Sequence, residues 1–119
     1  MIESDLESDS LPTKIVEKLH RRAIKSFMDI LILAELKNES MSGYDVISHI
    51  HKRFGILMSS GTVYSLLYSL GRNGLIKGIP NQRKRVYTLT EKGKQNIKVI
   101  TKANDEIQSF LRNMLVLKD

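Results

Sequence analysis

The chain has 119 residues and contains no cysteine and no tryptophan. Without cysteine there is neither a disulfide framework nor a thiolate metal site. Long hydrophobic runs are also lacking. The most apolar stretch, Phe27 to Leu36, is interrupted by Asp29 and Glu35, and it is far shorter than the ~20 residues that cross a bilayer. The first ten residues, MIESDLESDS, are acidic where a secretory leader is basic and then apolar. A cytoplasmic protein with no membrane segment is expected. Histidine is scarce as well. His49 and His51 are two apart and leave a helix on different sides, and His20 has no partner at ligand spacing, so no metal is expected. No nucleophile–base pair, phosphate loop or carboxylate cluster stands out. Neither catalysis nor a cofactor is expected.

What the chain has in excess is positive charge. It carries 19 Lys and Arg against 13 Asp and Glu, a net of +6. Four of the acids, Glu3, Asp5, Glu7 and Asp9, fall in the first ten residues, which hold no base. The rest sets 19 bases against 9 acids, which favours nucleic acid or another anionic surface as partner.

The periodicity predicts a mainly α protein. From Pro12, apolar residues at Ile15, Val16, Leu19, Ala23, Phe27, Ile30, Leu31 and Ala34 step by three and four, as one face of a helix does. That helix runs to about Leu36 or breaks near His20 to Ala23. Ser42-Gly-Tyr-Asp45 fits a capping box for a second helix, with Val46, Ile47, Ile50 and Phe54 as its stripe and Gly55 as its stop. Ser59 caps a third. There Val63, Leu67 and Leu70 face the core, and Gly74 ends the helix. Two β-like segments, LIKGI and RVYTL, flank a tip read as PNQRK, a hairpin. Thr90 caps a last helix of about 27 residues, ~40 Å long. Its Ile100, Ala103, Ile107, Phe110, Met114 and Leu117 occupy a and d positions, and this stripe is expected to form a dimer interface. Three regions are expected: an acidic tail over 1–11, a DNA-binding domain over 12–89 and a dimerisation helix over 90–119.

A short helix, a turn and a second helix, followed by a basic hairpin, is the winged helix-turn-helix plan, with a long C-terminal dimerisation helix added here. The second helix of such a pair enters the major groove of double-stranded DNA. Ser59, Ser60 and Gly61 put free backbone N–H groups at its front, where a phosphate can sit. Thr62, Ser65, Tyr68, Ser69 and Arg72 lie on its outward arc, and Tyr64 lies nearer the core face. Arg83, Lys84 and Arg85 follow the hairpin tip, Arg83 and Lys84 being placed ahead of Arg85 as DNA contacts.

The same segments resemble the PadR family of transcriptional regulators. The likeness rests on Ser42-Gly43-Tyr44, on Ser59-x-Gly61-Thr62-Val63-Tyr64-x-x-Leu67-x-x-Leu70, on Gly74-Leu75-Ile76 and on Tyr87-x-Leu89-Thr90-x-x-Gly93. Together these motifs span about residues 24–93. The resemblance implies a dimeric repressor whose C-terminal helix makes the dimer. Ser60 stands where the family often has proline, the wing is short, and the C-terminal region is a single helix as in the smaller members. Some relatives bind aromatic effectors between their dimer helices, often through tryptophan; this chain has no tryptophan, an effector is possible but not inferable, and Phe27 and Phe110 are placed in the core ahead of lining such a pocket. Two other functions stay open at this point: a protein-interaction module on the same fold, and a non-specific architectural DNA binder.

Overall fold

The structure, a computed structural model, describes residues 10–116. The chain opens with α1 (Leu11–Ser26), one residue earlier than the sequence suggests. The Ser10 hydroxyl accepts from the Thr13 N–H at 3.3 Å, which satisfies a donor of the first turn and leaves Pro12 where its missing N–H does no harm. Of the expected acidic tail, residues 1–9 lie outside the described residues.

The helix is interrupted at Phe27, whose φ of −107° and ψ of 16° leave the helical region, and resumes as α2 (Met28–Asn38). The interruption lies past the His20–Ala23 window. Phe27 N–H still donates to Ala23 C=O at 3.0 Å and Leu31 N–H to Phe27 C=O at 2.9 Å, so the ladder runs on through the defect. The buried residues of α2 are Met28, Ile32, Leu33 and Leu36. Ile30, Leu31 and Ala34, the stripe expected from the spacing, are only partly buried. The reason is composition: α2 is apolar on nearly every side, so spacing cannot single out a face. It is the central helix, touched by four later elements.

After α2 comes β1 (Met41–Ser42), then α3 (Gly43–Phe54) and α4 (Ser60–Arg72). The capping box of α3 is fully formed: Asp45 N–H donates to the Ser42 hydroxyl at 3.2 Å, and Ser42 N–H donates to the Asp45 carboxylate at 3.3 Å. Gly55 closes α3 in a left-handed turn. Glu35 of α2, mostly buried, ties the two helices through His49 at 3.5 Å and Arg53 at 3.7 Å.

Val63, Leu67 and Leu70 fasten α4 to the core. Past Arg72 the chain reverses at Gly74, φ +76°. Leu75 N–H bonds to Leu70 C=O and Gly74 N–H to Gly71 C=O, both at 3.0 Å, the paired closure that a left-handed glycine permits.

The wing is β2 (Ile76–Asn81) paired antiparallel with β3 (Lys84–Leu89). The five-residue tip expected from PNQRK is in fact a two-residue turn, Gln82–Arg83, because Asn81 already pairs with Lys84. Pro80 sits inside β2 opposite Arg85. β2 is an edge strand, where an absent N–H removes no ladder bond if that position faces outward. β1 joins the free side of β3 through Met41 with Tyr87 and Ser42 with Val86, giving a three-stranded sheet of order β1-β3-β2. Two residues are too short for alternation to register, so β1 is invisible in the sequence.

The expected 27-residue terminal helix is divided at Ala103 into α5 (Glu91–Lys102) and α6 (Asn104–Leu115). Thr90 caps α5 through Gly93 N–H at 3.1 Å. Ile97 is buried and Ile100 partly buried against the domain's own core, and Ala103 is half-buried. Ile100, expected in a dimer seam, thus packs partly within its own chain. Ile107, Phe110 and Met114 stay exposed, and Leu117 lies outside the described residues. Phe27 and Phe110 are exposed too, 38% and 69%, and so do not fill the core.

Neither α1 nor α6 has a buried residue. Both project from the body. The Cα radius of gyration is 17.0 Å, against about 13 Å for a compact domain of this length.

Candidate nucleic-acid interface

The polar arc of α4 is open to solvent from end to end. Ser59, Ser60, Gly61, Thr62, Ser65, Tyr68, Ser69 and Arg72 are all exposed. At the front, the Ser59 hydroxyl accepts from Thr62 N–H at 3.2 Å and lies 2.8 Å from the Thr62 hydroxyl. That cap satisfies one first-turn donor and leaves the N–H groups of Ser60 and Gly61 facing outward, beside the positive end of the helix dipole.

Two tyrosines follow. Tyr68 is exposed, and the Arg72 guanidinium carbon lies 5.7 Å from its ring centre, a cation–π distance. Tyr64 is 45% exposed and lies across the start of α3, where Gly43 makes room for it. A side chain at 43 would meet the Tyr64 ring at 2.6 Å. The tyrosine thus braces the two helices against each other. Asn73, at the end of α4, turns its carbonyl to the Lys92 ammonium at 2.9 Å.

Between α4 and the wing runs a groove of about 700 Å³ lined by Tyr64, Tyr68, Arg72, Lys77, Arg85 and Tyr87, among others. The three consecutive bases of the wing separate. Arg83 is in the turn. Lys84 and Arg85 leave opposite faces of β3, as neighbours in a strand must. Arg85, placed behind the other two by sequence, is the one that lines the groove. It reaches it by crossing Gly78, where any β-carbon would collide with the Arg85 Nε. Lys84 lies on the side of Asp45. That carboxyl is held below its ordinary value, first by hydrogen bonds from the Ser42 hydroxyl and backbone N–H, then by the charges of Lys84 and His49.

Sequence reasoning missed Lys77 and Tyr87 as groove residues. The available signal is register: Gly78 lies opposite Tyr87, and Lys77 opposite Thr88. Among the described residues no group of three His, Asp or Glu side chains is arranged to hold a metal ion, and no helix is long and apolar enough to cross a membrane.

A helix-turn-helix whose second helix shows an unbroken polar face, backed by a hairpin with bases beside that face, defines the winged-helix class of DNA-binding protein. The sequence profile of the PadR-like family of transcriptional regulators matches residues 32–99, and the chain belongs to that family, one of regulators and not of enzymes. Among curated proteins none matches the chain. Solved structures similar to it include a PadR family transcription regulator from Clostridium difficile R20291, with 24% identity over 76% of this chain and 99% of that one, TM-score 0.67. A PadR-like transcriptional regulator from Bacillus cereus ATCC 14579 shares 20% identity over 82% of this chain and 99% of its own, TM-score 0.69. At such identities the likeness is one of fold. Bacillus subtilis PadR, solved in complex with operator DNA, shares 29% identity over 60% of this chain and 44% of that chain, TM-score 0.53.

Proposed function

We propose that this chain is a sequence-specific repressor that binds a pseudo-palindromic operator as a homodimer. The observation that carries the reading is a pairing of open surfaces: a polar recognition face on α4, and apolar faces on α1 and α6 that remain exposed among the described residues. Leu11, Ile15, Val16 and Leu19 on α1 are 48–70% exposed, and Phe110, Met114 and Leu115 on α6 are 59–71% exposed. Each large side chain left in water forgoes roughly 1.5–3 kcal/mol. A two-fold dimer is the commonest way to recover it.

In such a dimer the two α4 helices read half-sites one helical turn apart, ~34 Å. Ser59, Ser60, Gly61 and Thr62 hold a phosphate at the front of α4. Ser65, Tyr68, Ser69 and Arg72 face the groove, Arg72 swinging off the Tyr68 ring to reach it. Tyr64 contributes its hydroxyl from the brace with α3. Arg83, Lys84 and Arg85 neutralise backbone phosphates from the wing, with Arg85 nearest α4. Few of these side chains read base edges, so specificity comes from doubling a weak surface. Ile107, Phe110 and Met114 form the part of the seam within α6. The operator complex of Bacillus subtilis PadR supports DNA as the partner.

A mobility-shift assay with genomic fragments against random competitor tests the reading. Retention of particular fragments as a complex of two chains per duplex is expected. Uniform binding would indicate an architectural protein, and no binding a protein-interaction module.

A further inference from the structure

The lysines of α5 take no part in the site just described, and they are not scattered. Lys94, Lys98 and Lys102 step by four along the helix, so at 100° per residue they share an arc of about 80°. Lys37 stands in the last turn of α2, a helix that packs against α5. Between the two helices runs a groove of about 520 Å³, and all four lysines line it.

The floor of the groove is apolar. Leu89, the last residue of β3, and Ile97 line it and are buried. Thr101 lines it too, and its hydroxyl donates to the Ile97 C=O at 2.8 Å, so its one donor is engaged within the helix. The lining includes no acidic and no aromatic residue. Of the four ammonium groups, only that of Lys94 is in an ion pair among the described residues, with Glu91 at 3.5 Å. Both partners are exposed, and such a pair holds weakly.

These features select a ligand chemistry. An apolar floor takes an apolar body, and lysines lay their methylene stems over such a body while their ammonium groups stay at the rim. Positive charge without acidic partners at that rim takes an anion. The groove offers no ring for stacking, and it is long: the eight residues from Lys94 to Lys102 rise ~12 Å. Its volume lies within the roughly 300–1,000 Å³ of small-molecule sites. The proposed dimer leaves it open. The helical ladder runs on past Ala103, whose C=O accepts from Ile107 N–H at 2.9 Å. Counted along it, Ile107, Phe110 and Met114 lie about 150° round the helix from the three lysines.

We propose that the groove between α2 and α5 binds a medium-chain aliphatic carboxylate. The tail lies on Leu89 and Ile97, and the carboxylate sits between Lys37 and the lysines of α5. The site shares no residue with the DNA-binding face, so the proposal goes beyond the operator reading, and its test involves no DNA.

Titration of the full chain with hexanoate, octanoate and decanoate, followed through the methyl NMR signals of leucine and isoleucine, tests it. Decanoate below its micellar concentration should shift Leu89 and Ile97 saturably, at one molecule per chain. Affinity should rise about two- to fourfold for each methylene added, fourfold being full burial. Decanol should bind at least about tenfold more weakly than decanoate, the loss expected when a charged hydrogen-bonding group is removed. Lys98→Gln with Lys102→Gln should weaken decanoate by about tenfold on the same ground, with thermal unfolding unchanged. Thr101→Phe, which fills the groove from an exposed position, should abolish the saturable shifts. Undiminished binding by either variant would overturn the proposal. So would equal binding of decanol, because charge would then play no part, or an affinity independent of chain length, because the floor would play none. Shifts led by Leu11 and Ile15 of α1, or by Phe110 of α6, would place the ligand on the exposed apolar faces and overturn it as well. Capture of the protein by vesicles of anionic phospholipid, abolished by Lys98→Gln with Lys102→Gln, would also contradict it, since the lysines would then read a lipid surface.

Discussion

Gly78 and Arg85 define the helix–wing groove at the level of single atoms. The arginine lies where a β-carbon would be, and it is the flexible partner. Gly78→Ala should therefore leave thermal stability unchanged or slightly raised, since alanine suits a strand better than glycine. Arg85 should be pushed out of the groove, lowering DNA affinity several-fold and the salt slope by about 0.9. Unfolding by calorimetry and a salt series of binding curves check both halves. Asp45 offers a second test. Its carboxyl titrates below the usual 3.8 because Ser42 and nearby positive charge favour the ionised form. The stability it supplies is thus present above the ordinary carboxylate range and lost as pH falls through its lowered value. Asp45→Asn should flatten that part of the acid limb in unfolding measured from pH 6 to 2. Ser42→Ala should cost about 0.5–2 kcal/mol at neutral pH. The capping residues were legible in the sequence because a cap is local chemistry, written within four residues. Arg85 was not, because its direction depends on strand register and on space made by a residue seven positions away.

Among the elements, α4 was the most legible. It is amphipathic, so spacing separates its core leucines from its polar arc, and a serine and a glycine mark its ends. α2 was legible as a helix but not in its orientation, because a helix apolar all round carries no phase. The terminal helix was legible in content and not in continuity. Ala103 has no unusual side chain, and the break there, like the one at Phe27, falls where one half of a helix is held by the core and the other is not. The docking of α4 can be probed by one charge. Thr62 is exposed in its first turn. Thr62→Asp should keep the fold intact, since an acid suits a helix N-terminus, and should abolish DNA binding by facing phosphate. Full affinity in a normally folded Thr62→Asp protein would mean that α4 does not enter the groove.

For the whole molecule, the apolar residues exposed on α1 and α6 among the described residues support the proposed dimer. Ile107 and Phe110 lie on the exposed side of α6, 37% and 69% accessible. Ile107→Asp with Phe110→Asp should leave the winged domain folded, because both residues are exposed. It should yield monomers at micromolar concentration by sedimentation and weaken operator binding by at least two orders of magnitude. A wild-type chain that sediments as a monomer under the same conditions would remove the seam. The two-half-site mechanism is tested most directly by selecting bound duplexes from a random DNA pool. Two chains reading one duplex through α4 should enrich an inverted repeat whose half-sites are centred about 10 base pairs apart. A pool that yields no consensus, or a single asymmetric site bound by one chain, would contradict it.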